Sequence, residues 1–173
     1  MITYKKITNI VDKVKYLDVV WEILIHSYTS VSGGLLFKTK DDLLTSTKLW
    51  KIIIKKGNVI AVTVFKSKHG LKLVAMGIVN IKQKKDVLLA LAKSIEEDLK
   101  HSWMEVSGKA EDFVMKHCNA YKYMIHNAYA RELLSKEIYL RDDGYHYYRE
   151  ISNLKKEKII VGTPFAHEIF EKI

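Results

Sequence analysis

Few side chains in this chain are placed to do chemistry, and they are scattered. Glu105 lies in the short apolar run "SWMEVSG" and is the best candidate for a general base. A general base has to sit on a rigid element within hydrogen-bond reach of the proton it removes. His101 precedes it, and strand alternation predicts the same side for both. Tyr145, Tyr147 and Arg149 alternate with His146 and Tyr148 near the C-terminus. Such a row can line a substrate pocket, and it can equally be a packed strand face, since aromatic residues favour strands. His117 and Cys118 are neighbours on a helical stretch and point in different directions, and Cys118 reads as core. A single cysteine supports neither an internal disulfide nor a zinc cluster, so no metal site is expected. The histidines show no H-E-x-x-H pairing, and "VSGGLLF" lacks the GK[ST] of a phosphate-cradling loop.

These residues need a scaffold, and the chain is long enough to build one. Its 173 residues suit a single domain, residues 1–173, with one core. No signal peptide and no apolar membrane span is visible, which makes the cytoplasm the expected location. The formal charge of +9 favours acidic or phosphorylated partners, nucleic acid among them. Arginine occurs only at 131, 141 and 149, and it is arginine that reads phosphates and bases bidentately. A lysine-rich solvated surface is therefore the plainer account of the charge.

Periodicity supplies the elements. Val14, Leu17, Val20, Trp21, Leu24 and Tyr28 fall at helical spacing and predict a helix from about Lys13 to Tyr28. Thr39, followed by Asp41 and Asp42, is an N-cap signal for a short second helix. Three β-branched runs follow, Leu49–Lys55, Val59–Lys66 and Leu71–Asn80, separated by the Gly-bearing turns "KKGN" and "SKHG". Short turns of this kind predict an antiparallel meander. Gly77 inside the third run marks a bulge or a close backbone approach. Val87, Leu88, Leu91, Ile95 and Leu99 predict a helix, and "SWMEVSG" a strand after it. That order implies a crossover and one parallel strand pair. Further helices are read in "GKAEDFVMKHC" and "NAYARELLSK", a hairpin around "DDG", and a terminal helix over about 164–173. Trp21, Trp50 and Trp103 sit in apolar runs and read as core.

The chain is therefore expected to be α/β, and its order resembles that of the GNAT superfamily of N-acetyltransferases. The resemblance covers roughly Leu17 to Ile151 and is carried by "LWKIIIKKGNVIAVTVF", "LKLVAMGIVNIKQKKDVLLALAKSIEEDL" and "WMEVSGKAEDFVMKHC". It implies a mixed, mostly antiparallel sheet with one central parallel strand pair flanked by helices. It also implies acetyl-CoA as cofactor, met by the central strand at Met76 and Ile78 and by the start of the following helix at Gln83, Lys84, Lys85 and Asp86. The family places a Q/R-x-x-G-x-G/A loop there, because glycine lets the backbone approach a pyrophosphate. In this chain Gln83 matches the first position, but Asp86 and Leu88 stand where the glycines would be. The resemblance further implies a tyrosine acid. Met115 and Lys116 stand near its usual place, and Tyr121 is the nearest candidate. Glu105 would be the base, and Tyr145, Tyr147 and Arg149 would line the acceptor side. The "DDGYHYYREI" ending is similar to bacteriophage proteins, which implies the cytoplasm of a host. Two functions follow: an acyl-CoA-dependent N-acyltransferase, or a catalytically silent GNAT-like binding protein such as a phage accessory factor, touching nucleic acid through its basic surface.

Overall fold

The computed structural model describes residues 1–28, 35–68, 70–79, 85–106, 113, 137–140, 146–149 and 157–162. They form two compact units, one of residues 1–67 and 73–91, the other of residues 68–72 and 92–173.

The first unit opens with strand β1, Ile2–Ile7, which the sequence reading did not foresee. Its charged residues hide the strand alternation, and pairing with β2 (Leu49–Lys55) supplies what local propensity does not. Helix α1 spans Ile10–Tyr28 and so starts earlier than its apolar stripe. Asn9 sets the start: its Oδ1 accepts from the Asp12 amide at 2.9 Å, and its carbonyl accepts from the Lys13 amide at 3.1 Å. This is N-capping, which satisfies donors that a helix leaves orphaned. Helix α2, Lys40–Thr45, begins at the expected cap, with Thr39 Oγ1 accepting from the Asp42 amide at 3.0 Å.

The meander forms as expected. Strands β2 and β3 (Asn58–Ser67) are antiparallel, with a register irregularity at Ile53/Ile54. The two-residue turn between them has Lys56 at φ 52° and Gly57 at φ 77°. Positive φ at both positions is the turn geometry that matches the twist of a hairpin. Strand β4, Leu71–Ile78, lies next to β3, giving the order β1-β2-β3-β4. On one side of these strands a single apolar cluster joins Val20, Ile23 and Leu24 of α1 to Trp50, Ile52, Val62, Val64 and Ala75. Trp50 is fully buried, as expected, while Trp21 is only partly so. Helix α3, Lys85–Asp98, begins in this unit, where the Tyr4 hydroxyl donates to the Ala90 carbonyl at 3.2 Å.

Lys13 is buried to 5% exposure beneath α2. Its Nζ donates to the Thr47 carbonyl at 2.8 Å and lies 5.8 Å from the Trp50 ring centroid. Desolvation holds its pKa below the usual lysine value.

In the second unit, strands β5 (Trp103–Val106), β8 (Glu157–Gly162), β7 (His146–Arg149) and β6 (Glu137–Leu140) are neighbours in that order, all antiparallel. The β6–β7 hairpin was expected; β8 was not, although its segment holds the β-branched run Ile159–Val161 followed by Gly162. Trp103 is buried, and its Nε1 donates to the Lys68 carbonyl at 2.9 Å. The readings over 107–136, apart from Phe113, and over 163–173 lie outside the described residues, Cys118 and the terminal helix included.

Candidate functional site

Strand β4 organises the first unit's polar chemistry. The Val79 amide donates to the Ile60 carbonyl of β3 at 2.9 Å. Backbone donors alternate along a strand, so the amides of Met76 and Ile78 point to the opposite edge. Side-chain hydroxyls from the last turn of α1 meet them there. The Ile78 amide donates to Ser27 Oγ at 3.1 Å, and that hydroxyl donates to the Ile78 carbonyl at 3.3 Å. The Met76 amide donates to the Tyr28 hydroxyl at 3.2 Å. Burial raises the Tyr28 pKa, and the bond from Met76 partly offsets this.

Gly77 lets the helix come this close. A Cβ there would lie 2.9 Å from Ser27 Oγ, 3.0 Å from Ile23 Cγ2 and 3.1 Å from the Ile23 carbonyl oxygen. The backbone that approaches this glycine closely is that of α1.

The start of α3 is covered differently. Asp86 Oδ1 accepts from the Val87 amide at 3.0 Å, while Oδ2 is ion-paired with Lys55 of β2. The hydrogen bond from Lys55 holds the Asp86 carboxyl below its usual range, against a smaller opposing effect of burial. Lys55 reaches Asp86 from a strand more than 30 residues away in sequence.

The expected site residues are thus only partly assembled. Met76, Ile78, Lys85 and Asp86 all belong to the first unit, around β4 and the start of α3. Gln83, Lys84, Tyr121 and Tyr145 lie outside the described residues. Glu105 lies in β5, opposite Ile160 of β8, which in turn pairs with His146 of β7. Tyr147 falls in the next row, with Ile159 and Val106, and Arg149 stands opposite both Glu157 and Glu137. The register therefore aligns Glu105 with His146 and not with Tyr147 or Arg149. His101 is not on the strand; it is exposed in the turn after α3, its amide donating to the Asp98 carbonyl at 3.0 Å. Sequence reading missed Ser27, Tyr28 and Lys55. Tyr28 had been read as the end of an apolar stripe, and only its hydroxyl carries the new role.

Tested against an acyl-CoA, the two places differ. The β4 edge offers two amide donors of the kind that hold carbonyl oxygens. At α3 a carboxylate already takes one of the amides a pyrophosphate would use, and like charge opposes that ligand. Among the described residues no group of three or more His, Cys, Asp or Glu side chains could hold a metal ion. No helix of the described residues is long and apolar enough to cross a membrane.

No family model matches the sequence, and no curated protein matches it. Solved structures do match. An N-acetyltransferase from Staphylococcus aureus superposes with a TM-score of 0.52 over 95% of this chain and 98% of its own, at 10% identity. An aminoglycoside 6'-acetyltransferase of type Ii gives 0.54 over 95% and 97%, at 9% identity. A third structure, solved with acetyl-CoA bound and from Elizabethkingia anophelis, gives 0.50 over 94% and 97%, at 12% identity.

Proposed function

Starting from a chain that has the GNAT acetyltransferase fold, we propose that this protein transfers an acyl group from acyl-CoA to an amine. One observation carries the reading. On the β4 edge turned away from β3, the amides of Met76 and Ile78 are held by hydroxyls. A hydroxyl is a cap that a ligand oxygen can replace, because one neutral hydrogen bond is exchanged for another at little net cost. The fold likeness to acetyltransferases supports the same reading at the level of fold.

In the reaction the amine nitrogen attacks the thioester carbon, and the carbon–sulfur bond breaks. The β4 amides stabilise the oxygen that gains charge. Glu105 is the proposed base that takes the amine proton, and Tyr121 the proposed acid that returns one to the thiolate. Tyr145, Tyr147 and Arg149 are proposed on the acceptor side. The +9 charge favours an acidic or phosphorylated acceptor.

A second reading is favoured by Asp86. Its carboxylate on the Val87 amide suits a GNAT-like protein that has given up its cofactor and serves as a binding or accessory factor. Calorimetric titration with acetyl-CoA separates the two. Micromolar binding, weakened by charge reversal at Lys84 and Lys85, supports transfer. No heat at millimolar acetyl-CoA leaves the silent protein, for which a salt-dependent gel shift with DNA tests nucleic acid as partner.

A further inference from the structure

We infer that the last turn of α1 is a built-in competitor for the acyl donor: Ser27 and Tyr28 occupy the β4 donors, and a donor gains them only by displacing these hydroxyls. The inference rests on the acyl-donor reading above.

The geometry is specific. Consecutive residues reach two amides of one strand edge, and Ser27 engages both the N–H and the C=O of Ile78. Such an arrangement is needed by the strand edge, because its part-buried amides require partners. It exists because Gly77 lacks a side chain, which brings the α1 backbone to within 3.1 Å of where a Cβ would lie. The upstream turns of α1 are anchored by buried Val20, Ile23 and Leu24, whereas Ser27 and Tyr28 are only half-buried. The capping turn is thus held by less apolar burial than the turn before it, although Tyr28 still packs against the core cluster, and a ligand moves it at lower cost than that turn. A ligand that must displace a cap binds with an apparent affinity reduced by the fraction of molecules in which the cap is open.

Removing the hydroxyls should therefore tighten binding while loosening the unliganded fold. The test is calorimetry with acetyl-CoA on wild type and on the Ser27→Ala/Tyr28→Phe double variant, with amide hydrogen exchange at Met76 and Ile78 in the unliganded proteins. The expected result is tighter binding, by about fivefold for each hydroxyl removed, with faster exchange at both amides. A purely structural role predicts faster exchange with equal or weaker binding. That result overturns the competitor and leaves the acyl-donor reading intact. If neither protein takes up millimolar acetyl-CoA, although the variant is folded and its amides exchange faster, both readings fail together. Should the double variant unfold, Ser27→Ala alone gives the same comparison through Ile78.

Discussion

The edge of β4 and the start of α3 both have their backbone donors covered by the chain's own side chains, but the covers are chemically opposite. At β4 they are neutral hydroxyls, which resemble the oxygens of a ligand and can be exchanged for them. At α3 the cover is a carboxylate in an ion pair, which resembles an anionic ligand but repels it. Under the proposed function, the contrast separates two parts of acyl-CoA recognition. The thioester end would meet a site that is only occupied, and the pyrophosphate end a site that is opposed.

The largest expected effect breaks the β4 side. Gly77→Ala pushes a methyl against the Ile23 carbonyl, which cannot swing away as a side chain can. We expect a loss of about 1–3 kcal/mol, the range for overpacking, read as a lower midpoint in urea unfolding. Unchanged stability would mean that α1 is not seated on β4 through this glycine. Tyr28→Phe is gentler, removing one neutral hydrogen bond from Met76 at a cost of about 1 kcal/mol, checked by the same unfolding curves.

pH then sharpens the contrast, because the two caps fail at opposite ends of the scale. The folded pKa of Tyr28 is raised, so its contribution is complete below the unfolded phenol value of 10.0 and is lost as pH climbs through the higher folded value. Tyr28→Phe should abolish that alkaline loss in thermal unfolding. The folded pKa of Asp86 is lowered, so its contribution is present above the unfolded carboxyl value of 3.8 and is lost as pH falls through the lower folded value. Asp86→Asn should flatten that acid limb. The smallest effect concerns selectivity. Asp86→Asn should tighten acetyl-CoA by up to about fivefold, the reach of an exposed charge contact, while leaving S-acetylpantetheine, which lacks the pyrophosphate, unchanged. Equal gains for both ligands would show that Asp86 does not discriminate by charge.

Local signals determined much of this protein. Periodicity marked α1 and α3, β-branched runs with Gly-bearing turns marked the β2–β4 meander, and Thr39 marked the start of α2, because each is encoded within a few neighbouring residues. The order of elements pointed to the GNAT fold, and Gly77 announced a bulge or a close approach. What the approach was for depended on residues distant in sequence. The pairing of β1 with β2, the meeting of Ser27 and Tyr28 with β4, and the Lys55–Asp86 ion pair are all long-range. A hydroxyl or carboxylate carries no mark of which backbone donor it will cover. Only the folded chain, by bringing a helix end onto a strand edge, decided that these donors would be spoken for and by what kind of group.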